Sequence, residues 1–131
     1  MFREFQDSYP NYASIYTDGS TSRDGNGCAV IYPNHTMLYK LPSYFTIFSC
    51  ELFAIKEAFL NILQSKEYTY YLIFTDSLSA VTAIQDRSTH NCLVQEIQIL
   101  YSEAIRTKKA VILAWIPSHV GIPGNDQADC S

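Results

Sequence analysis

Two apolar segments of the sequence end in the same way, with a threonine followed by an aspartate. They are Ile15-Tyr16-Thr17-Asp18 and Ile73-Phe74-Thr75-Asp76. Each pattern predicts a β-strand with an aspartate at its carboxyl end, which is where open α/β sheets usually bind ligands. Structural roles remain open at this point, since Asp18 can start a turn and Asp76 can cap a helix that begins at Ser77.

A third carboxylate lies on a predicted helix. Glu51 shares one helical face with Ile55, Ala58 and Ile62. An acid at the head of an apolar stripe points toward the sheet, and no lysine or arginine shares that stripe to neutralise it. The alternative is a solvated glutamate that is stabilised by the dipole at the helix N-terminus.

Further candidate groups lie near the end of the sequence. Asp126 and Asp129 are one helical turn apart, so they share a face of a predicted last helix. His119 precedes them in a loop over residues 118–125 that contains glycine and proline. A single histidine in a loop is most often a surface residue, so its role stays open on this pattern alone.

Several carboxylates that converge without cations repel one another unless divalent metal ions neutralise them. Ligands that offer only oxygen select hard ions, Mg²⁺ or Mn²⁺, over zinc. Two such ions support phosphodiester hydrolysis. Because four acidic ligands and two divalent ions cancel, the formal net charge of −4 argues only weakly against a nucleic-acid substrate. Basic residues that can bind backbone phosphate are Arg23 and a cluster of Arg106, Lys108 and Lys109, although a solvated helix end also explains the cluster.

The elements that must position these groups follow from turn signals and hydrophobic periodicity. The first three strands are predicted to be consecutive and antiparallel, and strands joined through helices must be parallel. The fold class is therefore α/β, with a mixed five-stranded sheet flanked by helices. The first half is predicted to contain strands over 13–18, 28–32 and 36–41, with a turn over 21–27, and then a helix that begins at Cys50 and ends at residues 64–67. The second half is predicted to contain a strand over 70–75, helices over 77–84 and from Leu93 to Ala104, a strand over 110–116 and a helix from Asp126.

Length and composition predict one domain over residues 1–131, with a lead-in segment over 1–12 and a last helix cut short after Asp129. Apolar residues make up 47% of the 131 and charged residues 17%, as in ordinary globular proteins. No apolar run approaches the roughly 18 residues that span a bilayer, so no membrane is expected. The four cysteines form no Cys-x-x-Cys pair, which favours reduced thiols and an intracellular location, cytoplasm or nucleus.

Four blocks of the sequence, in this order, resemble the motifs of the ribonuclease H type I family. The blocks are Thr17-Asp18-Gly19-Ser20, then Cys50-Glu51-Leu52 with Ala54-Ile55, then Thr75-Asp76-Ser77, and finally residues 115–122 (Trp-Ile-Pro-Ser-His-Val-Gly-Ile) with Gly124-Asn125 and Ala128-Asp129. The match is most similar to the ribonuclease H domain of non-LTR retrotransposon polyproteins. It covers residues 14–129.

The resemblance implies a ribonuclease H-like fold and endonucleolytic cleavage of the RNA strand of an RNA/DNA hybrid, leaving 5′-phosphate and 3′-hydroxyl ends. It implies two Mg²⁺ or Mn²⁺ ions, held by an acidic quartet of Asp18, Glu51, Asp76 and Asp129. Asp126 matches an acidic position outside that quartet. His119 matches a loop histidine that assists proton transfer or product release.

The resemblance also implies the partners. The hybrid is the substrate, and main chain and side chains at Gly19, Ser20, Ser77 and Asn125 are candidates to contact it, in part through 2′-hydroxyl groups that DNA lacks. A reverse transcriptase domain of the same polyprotein is a further expected partner, and the isolated domain is expected to be a monomer. Cellular members often have glutamine where Leu78 stands, and a basic handle is missing between Gln85 and Asn91, so hybrid affinity in isolation is expected to be weak.

Two other classes of function remain as alternatives. A non-catalytic module of the same fold that binds hybrids would be supported by loss of an acidic residue, and none is lost. An exonuclease with an Asp-Glu-Asp-Asp set needs glutamate where Ser20 stands, and a transposase or integrase core needs glutamate as its last acid on a longer helix. Both of these nucleases are disfavoured.

Overall fold

The computed structural model of the protein describes residues 12–66 and 69–117. This part of the chain forms one sheet with helices packed on it. The strands are β1 (Tyr12–Ser22), β2 (Gly25–Ile31), β3 (Thr36–Leu41), β4 (Tyr70–Thr75) and β5 (Ala110–Trp115), and the helices are α1 (Ile47–Gln64), α2 (Leu78–Ile84) and α3 (Cys92–Arg106). None of these helices combines the length and apolar content needed to cross a membrane.

The sheet has the order β3-β2-β1-β4-β5, and it is mixed, as predicted. Strands β1, β2 and β3 are antiparallel, whereas β4 is parallel to both β1 and β5. The parallel connections run through helices, as the geometry of crossovers requires. The register pairs Thr17 with Thr75, so the residues that follow them, Asp18 and Asp76, come to the same edge of the sheet.

The core is built where α1 lies against the sheet. The predicted stripe on this helix is confirmed, because Ile55, Ala58 and Ile62 are all fully buried. Burial of each large side chain contributes about 1.5–3 kcal/mol. Helix α3 packs on α1, and the ring centroids of Phe59 and Tyr101 lie 5.1 Å apart at this contact. Helix α1 is therefore held between the sheet and α3, and this packing fixes the backbone that carries Glu51.

The hairpin between β1 and β2 is tighter than predicted. Strand β1 runs on to Ser22 and β2 begins at Gly25, so the turn shrinks from residues 21–27 to the two residues between them. The glycines and the asparagine that predict a turn are instead strand residues. At Gly27 a side chain has no space, because a Cβ would lie 2.7 Å from the carbonyl oxygen of Tyr39 on β3.

Helix α1 begins at Ile47, one turn before the predicted start at Cys50. Its N-cap is Thr46, whose hydroxyl accepts a hydrogen bond from the Ser49 amide at 3.1 Å. Aromatic and β-branched residues in the first turn hide the helical period, which explains the error. Glu51 therefore lies in the second turn, so the alternative of a solvated N-terminal glutamate is wrong.

The side chain of Asn26 ties the start of α1 to the sheet. Its amide donates to the carbonyls of Pro42 at 3.0 Å, Ser43 at 3.1 Å and Phe45 at 2.8 Å. These carbonyls belong to the loop that ends at the N-cap of α1. A strand residue of β2 thus determines where the helix begins.

We expect Asn26→Ala to lower the free energy of unfolding by about 1–2 kcal/mol, because it leaves loop carbonyls without their donor. Urea denaturation of the variant and the wild type measures this. Asn34→Ala, a matched change at an exposed position in the turn between β2 and β3, is the control. An equal loss in both variants would contradict the role given to Asn26.

Candidate metal centre

Three of the predicted acids meet at the carboxyl edge of the sheet. Asp18, Glu51 and Asp76 each offer one carboxylate oxygen, and these oxygens lie within 4.8 Å of one another. Asp18 is buried, and the other two side chains are half-buried. Residues from β1, α1 and the end of β4 therefore share one small site.

Hydrogen bonds beside the two aspartates hold the strand ends that carry them. The Thr17 hydroxyl donates to the Phe74 carbonyl at 3.2 Å, and the Thr75 hydroxyl accepts from the Ser77 amide at 3.1 Å. Asp18 lies within β1, paired with Ala29, rather than at a turn. The structural alternative for this residue is therefore wrong.

The structural alternative for Asp76 is wrong as well. The cap of α2 is Ser77, whose hydroxyl accepts from the Ala80 amide at 3.1 Å. The Asp76 carbonyl accepts a hydrogen bond from the indole Nε1 of Trp115 at 3.2 Å. Sequence reasoning missed this contact. The only sign of it in the sequence is that Trp115, whose indole can donate a hydrogen bond, ends the strand next to β4. This sign is weak.

Glu51 reaches the site over a residue that has no side chain. A Cβ on Gly19 would lie 2.7 Å from the Glu51 amide nitrogen and 2.8 Å from its Cγ. Backbone and side chain of the helix therefore occupy the space that any other residue at position 19 would need. Gly19 was predicted as a substrate contact, and the structure gives it a packing role at the site.

The electrostatics of the site are unfavourable without a cation. Burial, together with the nearby Asp76 carboxyl group, raises the pKa of Glu51 from 4.5 to about 7, while a hydrogen bond from Ser77 opposes the shift. No lysine or arginine of the described chain contributes to this shift. Three carboxyl groups with oxygen-only donors fit a hard divalent ion such as Mg²⁺ or Mn²⁺.

Several predicted residues lie outside the described residues. They are His119, Asn125, Asp126 and Asp129. Ser20 is exposed on β1, and Ser77 is buried beside Glu51.

The basic cluster of Arg106, Lys108 and Lys109, for which a solvated helix end was the other explanation, lies away from the carboxylates. Arg106 pairs with Glu103 on its own helix, and the Lys109 ammonium donates to the carbonyls of Ile62 and Ser65 at the end of α1. These groups flank the start of β5, which lies at the opposite edge of the sheet from the carboxylates. Lys109 stabilises a helix C-terminus instead.

Among models of known protein families, one described as RNase H matches residues 10–131 of this chain. The chain belongs to the RNase H family. This agrees with the mixed sheet and with the acidic site at its edge, because RNase H domains use divalent metal and act on RNA/DNA hybrids. The acids that the structure brings together are thus candidate metal ligands of an RNase H.

We expect Gly19→Ala to weaken Mn²⁺ binding about 10–100-fold, because the added methyl group displaces Glu51. Isothermal titration calorimetry measures the affinity, and circular dichroism checks that the helices persist. Ser20→Ala, the neighbouring change on the same strand, is the control and should leave the affinity unchanged. Wild-type affinity in Gly19→Ala would show that Glu51 does not depend on this glycine.

We expect the metal-free protein to lose stability as pH rises from about 5 to 8. The folded pKa of Glu51, about 7, exceeds the ordinary 4.5, so its contribution is present below pH 4.5 and disappears as pH passes 7. Glu51→Gln cannot ionise and should lack this part of the pH dependence. Urea midpoints in EDTA compare the two proteins, and identical pH dependence would contradict the raised pKa.

Proposed function

We propose that this RNase H is an endonuclease that cleaves the RNA strand of RNA/DNA hybrids and leaves 5′-phosphate and 3′-hydroxyl ends. The observation that carries the proposal is the convergence of Asp18, Glu51 and Asp76 within 4.8 Å at the carboxyl edge of an RNase H sheet. Such a site has no evident structural purpose, because gathering carboxylates destabilises a fold unless a cation joins them.

The proposed site would bind two Mg²⁺ or Mn²⁺ ions. Asp18, Glu51 and Asp76 would hold the ion on the leaving-group side, and Asp18 with Asp129 would hold the ion that activates water. When bound, such ions activate water and stabilise the charge that develops on the phosphate. The motif resemblance supports these assignments, together with the placement of the first three acids.

The protein's own side chains prepare the site. Ser77 donates to the Glu51 carboxylate and so favours the charged form that a metal needs. Trp115 holds the Asp76 backbone and thereby limits the positions its carboxylate can take. His119, one of the proposed catalytic residues, accepts or returns a proton during turnover or product release.

Strand choice is proposed to come from contacts to 2′-hydroxyl groups, which only the RNA strand offers. Candidate groups are the main chain at Gly19, the side chain of Ser20 and Asn125. Ser20 is exposed on β1, two residues after Asp18. Ser77 is buried, so its part in this proposal is to orient Glu51.

The proposed context is a type I domain of a retrotransposon polyprotein, working beside a reverse transcriptase domain inside the cell, in cytoplasm or nucleus. The order and content of the four motif blocks support this. As an isolated domain the protein is proposed to be a monomer.

The test is cleavage of a labelled RNA/DNA hybrid in Mg²⁺ by the wild type and by Asp76→Asn. Loss of a metal-ligand charge should slow cleavage about 100-fold or more. Asp86→Asn makes the same chemical change in the exposed loop after α2 and should cleave like the wild type. Duplex DNA and duplex RNA should remain intact.

Two results would contradict the proposal. Equal cleavage by the wild type and Asp76→Asn would identify a contaminating nuclease. Binding of the hybrid by the wild type without any cleavage would favour the non-catalytic module instead.

A further inference from the structure

The face of the sheet that carries Asp18 can be followed along β1. Successive side chains of a strand point to opposite faces. The Cβ position of Gly19 is directed at Glu51 on α1, so residue 19 faces the helices. Asp18 and Ser20 therefore belong to the other face of the strand.

The sheet register brings a lysine to that face. Ser20 pairs with Gly27 on β2, and Gly27 pairs with Lys40 on β3. Directly paired residues place their side chains on the same face. Because Gly27 has no side chain, the surface between Ser20 and Lys40 is bare.

The Lys40 side chain approaches the β1–β2 turn, which carries an arginine. The Lys40 Cε lies 3.9 Å from the Cβ position of Gly25, the first residue of β2, so its side chain runs toward the turn. That turn consists of Arg23 and Asp24, which are exposed like Lys40. Within residues 12–66 and 69–117, neither cation is paired with a carboxylate.

Three other cations of the described chain are already engaged. Lys56 pairs with Glu96 at 3.0 Å, Arg106 pairs with Glu103, and Lys109 binds main-chain carbonyls. Lys40 and Arg23 are by contrast available to an anion that lies on the face of Asp18. Sequence reasoning considered Arg23 alone and missed Lys40, because only the register places the two together.

The spacing suits a nucleic-acid backbone. Lys40 is two residues along and two strands across from Asp18, which corresponds to about 12 Å between their Cα atoms. A nucleic-acid strand advances about 3.4 Å per nucleotide along its axis, and its phosphates lie farther apart than this because the backbone winds around that axis, so the distance spans a few nucleotides at most.

We propose that Lys40, with Arg23, binds a backbone phosphate of the hybrid within a few nucleotides of the cleaved bond. This proposal rests on the proposed function, since it takes the hybrid as the substrate. The contact fixes the position of the duplex without reading its sequence. It also provides a local positive charge that attracts the anionic substrate to a protein whose net charge is negative.

The test compares Lys40→Gln with Lys66→Gln, both in the cleavage-deficient Asp76→Asn protein. Lys66 is an exposed lysine just after α1, at the opposite edge of the sheet. Fluorescence anisotropy measures hybrid affinity between about 50 and 200 mM salt, where each phosphate contact contributes about 0.9 to the slope of log affinity against log salt. Lys40→Gln should lower that slope by about this amount and weaken binding several-fold, and Lys66→Gln should change neither.

A neutral methylphosphonate placed at single linkages of the hybrid locates the contact. At one linkage within a few nucleotides of the cut, the methylphosphonate should weaken binding to the Lys66→Gln protein but not further weaken binding to Lys40→Gln. An unchanged salt slope in Lys40→Gln, or additive losses at every linkage, would overturn the proposal. If the wild type does not cleave the hybrid but the salt dependence of hybrid affinity still depends on Lys40, the proposed function would be overturned and the phosphate site would be supported.

Discussion

The mutual repulsion of three carboxyl groups is the constraint that organises this structure. Asp18, Glu51 and Asp76 come from three separate elements, and burial beside Asp76 makes the charged form of Glu51 costly, which raises its pKa. The rest of the fold overrides this cost through the parallel pairing of β1 with β4 and the apolar stripe of α1. An unfavourable arrangement that the core enforces indicates a site kept for a divalent cation.

The neighbours of these acids are explained by the same constraint. Gly19 is needed because α1 lies so close to β1 that no side chain fits between them. Ser77 both caps α2 and donates to Glu51, so one residue positions a helix and an acid. Asn26, on the neighbouring strand β2, holds the loop before α1 and so helps to set how far Glu51 reaches. The site depends on contacts that no single motif contains.

Part of this account could be predicted from the sequence, and the reasons are physical. Strand ends and helical stripes are local patterns, so the order of elements, the mixed sheet and the meeting of the three acids could be predicted. The tight β1–β2 hairpin could not, because glycines such as Gly27 serve cross-strand packing while looking like turn residues. The start of α1 was hidden by aromatic and β-branched residues. Lys40 and Trp115 acquire their roles only through register, which a single sequence does not reveal.

The central claim is that a hard divalent ion joins the three acids. Anomalous diffraction from crystals soaked in Mn²⁺ tests it most directly, because the signal locates the metal without assuming a reaction. We predict a peak with oxygens of Asp18, Glu51 and Asp76 at about 2.0–2.3 Å, as for hard ions bound by carboxylates. A fully soaked crystal with no peak among these residues, or with manganese bound only elsewhere on the protein, would contradict the account.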